Sequence, residues 1–156
     1  MITLAPGDGQ PYWFFGGLVV LKASAVVTSS ALSVTEQWYP RGVATPLHSQ
    51  PDDFESFYVI QGQVTFFLDG QEPVETSAGS YAYVPAGLPH AFRVTSDTAG
   101  LLNHTTPQHE QFFLAVADPA PRFELPPEGP PDMERVGAAA QRFGVEILGP
   151  PPNAGD

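Results

Sequence analysis

Two stretches set a few polar side chains in strand-like apolar sequence. Gly42 to Gly62 carries His48, Gln50 and Glu55, and Gly79 to Val94 carries His90. His48, Glu55 and His90 are an imidazole, a carboxylate and a second imidazole. Each lies in or beside an alternating run that could aim it at one interior point. Two His and one carboxylate with open positions form the ligand composition of a non-haem metal that binds oxygen.

The elements that must hold these groups read as short strands. PYWFFGGLVVLKAS gives two runs split at Gly16-Gly17. Its Tyr12, Trp13, Phe14 and Phe15 either cover one mouth of a barrel or serve as core and interface aromatics. Residues 31–39 alternate with a period of two, placing Leu32, Val34, Glu36 and Trp38 on one face. Two strands, ESFYVIQ and QVTFFLD, hinge at Gly62, with Glu55, Phe57 and Val59 sharing a face. Asp69-Gly70 is a hairpin dipeptide. SYAYVP, HAFRV (His90 and Phe92 on one face) and Leu101–Thr105 follow.

Thr106-Pro107 predicts a helix start, with the helix running to about Ala117 and burying Phe112, Phe113 and Val116. Residues 118–131 are a proline-rich connector. Asp132 caps a second helix, with Met133, Val136, Ala140 and Phe143 at helical spacing and Gly144 at its end. A short strand, VEILG, precedes a proline-rich tail. Many short strands with turns at regular spacing point to an antiparallel sandwich or barrel.

Composition narrows the partners. The net charge is −11, with 6 Lys plus Arg against 17 Asp plus Glu, which repels phosphate backbones and anionic membranes. No nucleic-acid or membrane partner is expected, and a cytoplasmic location is the plain reading. The absence of cysteine rules out thiolate ligands and disulfides. The 156 residues suit one domain, with a barrel core over about 12–106, a helical segment over 107–148 and a tail over 149–156. The apolar PYWFFGG segment suggests a homodimer joined through an N-terminal strand.

At Gly42, His48, Glu55, Gly62, Gly79, Pro85, Gly87 and His90 the chain resembles the paired motifs of the cupin superfamily. The likeness spans most of the sequence and is nearest to small single-domain bacterial cupins grouped with quercetin 2,3-dioxygenases. It implies an all-β, double-stranded β-helix barrel (a jelly roll) with short C-terminal helices. It further implies a divalent metal held by three His and one Glu, with the Glu taking the hydroxyl proton of a flavonol before oxygen opens its ring. Two positions depart from the pattern. Gln50 stands where the motif has a second His, and Val94 where it has Asn.

The remaining set is His48, Glu55 and His90, with Gln50 as a weak fourth ligand or an orienting hydrogen-bond partner. The metal would be a first-row divalent ion such as Fe, Mn, Ni, Co or Zn, unless the site has been lost. Without metal, a Glu55 buried among aromatics would have a raised pKa and act in acid–base work. Trp38, Phe57, Phe66 and Phe92, with Glu36 as a polar handle, are expected to line an apolar pocket for a planar aromatic or polyketide-like molecule. His104 either points into the barrel or is a hydrogen-bonded barrel histidine. His109 is expected at the surface, and Arg93 faces away from His90. The first functional expectation is a metal-dependent dioxygenase with Glu55 and His90 at the chemistry. The alternatives are a metal-independent cyclase or isomerase of secondary metabolism using Glu55 and His90 as acid and base, and a small-molecule binding protein.

Overall fold

In chain order the strands are β1 (Gln10–Phe14), β2 (Gly17–Ala23), β3 (Ser33–Pro40), β4 (Leu47–Ser49), β5 (Glu55–Gln61) and β6 (Gln63–Leu68). They continue with β7 (Val74–Ser77), β8 (Tyr81–Val84), β9 (His90–Val94) and β10 (Thr98–Thr105). Helix α1 (Pro107–Val116), β11 (Asp118–Pro119), α2 (Met133–Phe143) and β12 (Glu146–Gly149) follow. This computed structural model describes residues 1–153, so the last three residues of the expected tail, 154–156, lie outside the described residues.

All strand pairs are antiparallel. One sheet runs β11-β1-β2-β3-β10-β5-β8 and the other β12-β4-β9-β6-β7, the two-sheet jelly roll expected from the sequence. Alternation drives it. Along β3 every second residue is buried (Ser33, Thr35, Gln37, Tyr39) and its neighbours are half-buried. Val19, Val59, Val64, Phe66, Val94 and Leu101 close the core between the sheets. Burying each such apolar side chain stabilises the fold by roughly 1.5–3 kcal/mol. Consecutive strands β5 and β6 belong to different sheets, and the chain crosses between them at Gly62, whose φ is +80°. A Cβ there would collide with the Thr98 carbonyl, so only glycine makes the crossing.

Both helix starts are capped as expected. Thr106 accepts from the His109 N–H at 3.1 Å with Pro107 in the first turn, and Asp132 accepts from the Arg135 N–H at 3.0 Å. The Thr106 hydroxyl also donates to Asp53, tying α1 to the loop before β5. Gly144, at φ +75°, ends α2 in the left-handed conformation.

Several expectations need correction. The residues after α1 are not wholly connector, because Asp118 and Pro119 pair with Trp13 and Tyr12 of β1. That leaves β1 with a neighbour on each side, so it is not a free pairing edge. In α1 it is His109, Glu110, Phe112 and Phe113 that are buried, while Val116 is half-buried; in α2, Met133 is exposed. Glu110 is held inside because its Oε2 accepts from the Ala25 N–H at 2.8 Å.

Candidate metal centre and its pocket

Each member of the central cluster arrives by a separate route. His48 lies mid-strand in β4 and is paired directly with His90, the first residue of β9. Glu55 opens β5 on the opposing sheet. The ligand atoms of His48, Glu55 and His90 all lie within 4.8 Å of one another, so the expected three residues do converge.

The second nitrogen of each imidazole is already committed. His48 Nδ1 donates to the Pro46 carbonyl at 2.9 Å, and His90 Nδ1 donates to the Leu88 carbonyl at 2.9 Å. Both rings therefore turn Nε2 towards the centre, the outer hydrogen bonding that orients metal-ligating imidazoles. His90 Nε2 stands 3.1 Å from Glu55 Oε2.

Gln50 is buried beside them. Its Nε2 lies 3.0 Å from Glu55 Oε2, 3.3 Å from His48 Nε2 and 3.4 Å from His109 Nε2. An amide has two N–H groups for these three neighbours, and the Gln50 Oε1 is buried without a partner. As it stands, Gln50 offers hydrogen-bond donors to the cluster; a half-turn of the amide would present the oxygen a cation needs. Two imidazole nitrogens freed towards one point, a carboxylate oxygen and an unpartnered amide oxygen fit a first-row divalent ion.

Charge is arranged around Glu55. Burial by itself would raise its pKa, but the positive potential of His109, the hydrogen bond and charge of His90, and the charge of His48 outweigh it and hold the carboxyl well below its usual range. The expectation of a raised pKa for a metal-free, aromatic-encased Glu55 is thereby overturned: three imidazoles, not only phenyl rings, surround it. Burial would depress His90, yet Glu55 pulls its pKa up. Burial and the neighbouring His90 push His48 down to about 4. The lowered Glu55 and raised His90 favour a carboxylate–imidazolium pair beside a His48 that resists protonation.

The cavity above this cluster is walled by Phe14, Phe15, Phe57, Phe92, Phe112 and Phe113 on its apolar sides. Its polar side is the buried face of β3, with Ser33, Thr35, Gln37 and Tyr39, joined by Asn103 and Thr105 of β10. Phe57 and Phe92 are lining residues as expected. Phe66 is core instead, packing behind both at ring distances of 5.3 and 6.2 Å.

Glu36 and Trp38 lie on the other face of β3, outside the cavity. Trp38 Nε1 donates to Glu36 Oε1 at 2.7 Å, Lys22 Nζ stands 3.0 Å from Glu36, and the indole covers Gly100 of β10. Hydrophobicity chose the wrong face because Thr35, Gln37 and Tyr39 satisfy one another inside, while Trp38 finds its cover outside. His104 also faces away, half-buried, 3.4 Å from the Ser56 hydroxyl; alternation turns its neighbour Asn103 inward instead. Arg93 is off the His90 face and donates to the Pro152 carbonyl.

His109 corrects the sequence reading most. It is buried, stacks on Phe112 at 5.4 Å, and brings Nε2 to 3.7 Å from Glu55 Oε1. The signal was present: a residue in the first turn after the Thr106-Pro107 start lies three and four positions before Phe112 and Phe113, on the same helix face.

Comparison with known proteins agrees with the fold and the motif spacing. Residues 35–106 match the family described as Cupin domain. That segment is similar to a cupin domain, and the two-sheet jelly roll is the fold of that family. Quercetin 2,3-dioxygenase of Bacillus subtilis (strain 168) is 29% identical over 148 residues, 93% of this chain and 44% of the relative. The dimethylsulfoniopropionate lyase DddQ of Ruegeria pomeroyi is 29% identical over 65 residues, 42% of this chain and 32% of the relative. The chain thus spans less than half the length of these curated relatives. Among solved structures, the polyketide cyclase RemF of Streptomyces resistomycificus superimposes with a TM-score of 0.60 at 17% identity, over 69% of this chain and 80% of that one. That likeness is one of fold. Among the described residues no helix is long and apolar enough to cross a membrane.

Proposed function

We propose that this cupin is a metal-dependent dioxygenase of the quercetinase-like kind, acting on a planar aromatic or enolic small molecule. The observation that carries the reading is the convergence of His48 Nε2, His90 Nε2 and the Glu55 carboxylate, with both Nδ1 atoms tied to backbone carbonyls. The likeness to quercetin 2,3-dioxygenase supports the same chemistry. His48, His90 and Glu55 would hold the ion, with Gln50 in the fourth position once its amide has turned. A bound first-row divalent ion supplies an electrophilic site that favours the deprotonated form of a coordinated hydroxyl.

The protein's own groups do the rest. The phenyl rings of Phe57, Phe92, Phe112 and Phe113 sandwich a flat ring system and exclude water. Glu55 Oε2, the face of the carboxylate turned to the centre, is placed to take the proton of a substrate hydroxyl. Asn103, donating to Glu55 Oε1 at 3.0 Å, keeps the carboxylate's orientation fixed while the charge changes.

The test is elemental analysis of protein purified without an affinity tag, beside a Gln50→His variant. Near-stoichiometric transition metal that is lost in His48→Ala and His90→Ala, with oxygen uptake on addition of a flavonol, is the expected result. A well-folded, metal-free parent that gains metal only as Gln50→His would sink it. A second reading is then favoured by the direct Glu55–His90 pair and by His109 Nδ1, which is buried without a partner in the cavity wall. In that reading the pocket is a metal-independent cyclase or isomerase with Glu55 and His90 as base and acid, and turnover persists in chelator.

A further inference from the structure

The polar wall of the cavity is a single connected row. Tyr39 Oη donates to Gln37 Oε1 at 3.3 Å, and Gln37 Nε2 donates to Thr35 Oγ1 at 2.9 Å. Thr35 Oγ1 donates to Asn103 Oδ1 at 3.5 Å, and Asn103 Nδ2 donates to Glu55 Oε1 at 3.0 Å. Every residue in it is buried, from Tyr39 at 2% exposure to Gln37 at 8%. Strand geometry builds it: Thr35, Gln37 and Tyr39 share one face of β3, and Thr35 lies directly opposite Asn103 of β10.

The row has only one direction. An ionised carboxylate accepts and cannot donate, so Asn103 must present its NH₂ to Glu55 and its oxygen to Thr35. The Thr35 hydroxyl spends its hydrogen on that oxygen and accepts from Gln37, whose oxygen is left to accept from Tyr39. Reversing any one amide would set oxygen against oxygen. Amides do not pass protons along such a line, so the row carries aligned dipoles that reinforce one another.

We infer that Tyr39, Gln37, Thr35 and Asn103 form a one-way donor row that positions the Glu55 carboxylate by engaging Oε1, which leaves Oε2 turned to His90 at 3.1 Å. They are positioning residues, and their purpose rests on the metal-centre reading above. The same row also presents the spare lone pairs of Tyr39, Gln37 and Thr35 to the cavity, which suits a ligand carrying hydroxyl groups along one edge.

Two measurements test this. In metal-free, ¹⁵N-labelled protein the side-chain NH₂ resonances of Gln37 and Asn103 report the row. Tyr39→Phe is expected to shift both, although Asn103 lies two links further on, and Thr35→Val to stop the effect at Gln37. Tyr12→Phe, which alters another buried phenol outside the row, serves as the control. A Tyr39→Phe shift that reaches no further than Gln37, or that reaches Asn103 equally with Thr35→Val, overturns the row. In cobalt(II) titrations Asn103→Ala is expected to weaken binding about tenfold and change the visible spectrum, with Tyr39→Phe weaker in effect. Cobalt binding that is equal in the parent and all variants overturns the positioning role. No cobalt binding by the parent overturns the metal-centre reading itself, together with the purpose given to the row.

Discussion

At the scale of single residues the centre is a balance between burial and mutual charge. The folded pKa of His90 lies above its usual value of 6.5 and that of Glu55 below its usual 4.5. In metal-free protein the pair's contribution is therefore complete between these pH values. It is lost on the acid side as pH falls through the depressed Glu55 value, and on the alkaline side as pH rises through the raised His90 value. Melting curves in chelator should show the melting temperature declining above neutral pH, and His90→Gln should remove that decline. His48 acts oppositely: with a folded pKa of about 4 it refuses a proton that the unfolded chain accepts, so stability drops as pH falls from 6.5 towards 4. A melting temperature that is flat across both windows would contradict the arrangement. His48, Glu55 and His90 were legible in the sequence because their spacing survives in two motif blocks. Asn103 was not, since its place is set by its register against Thr35 of β3, while His109 was betrayed only by its helical spacing to Phe112 and Phe113.

At the scale of elements, strands were easier to read than faces. The boundaries of β5, β6 and β9 follow directly from alternation and from Gly62. In β3, however, Thr35, Gln37 and Tyr39 compete with Val34, Glu36 and Trp38 for the interior. Periodicity gives two faces and no rule for choosing when the polar one can bond to itself. The crossing at Gly62 gives a sharp expectation. Gly62→Ala adds a Cβ at positive φ against the Thr98 carbonyl and the Ser96 hydroxyl, which should cost about 3 kcal/mol from strain and overpacking together. Urea unfolding would measure it. The neighbouring turn glycine Gly70, also at positive φ but with open space around it, should lose only about 1 kcal/mol as Gly70→Ala. Equal losses at the two positions would mean that the close approach at the crossing is not what demands glycine.

At the scale of the whole molecule, the C-terminal part buttresses the centre. β12 pairs with β4, setting Ile147 opposite His48 and Glu146 opposite Ser49, and Val145 and Ile147 reach the cavity wall. Helix α2 packs Ala139 and Ala140 against Phe112 of α1 and so backs the helix that carries His109. A chain ending at Gly144 should lower both the melting temperature and the affinity for cobalt, while Ile147→Val, which keeps the pairing, should leave the affinity within about twofold. Retained affinity in the shortened chain would separate the buttress from the site. The sequence revealed α2 and β12 as elements, through the Asp132 cap and the apolar spacing, but not their address, because no local feature of VEILG names β4 as its neighbour.

That pairing also fixes an order of events. His48 occupies a three-residue strand held between β9 and a partner that lies almost a hundred residues later in the chain. Closing so long a loop is slow relative to forming the β5–β6 crossing or either helix. During refolding, then, the barrel can assemble its aromatic interior before β12 docks, and the short strand that carries His48 gains its second neighbour late, as a clock stroke marking that docking.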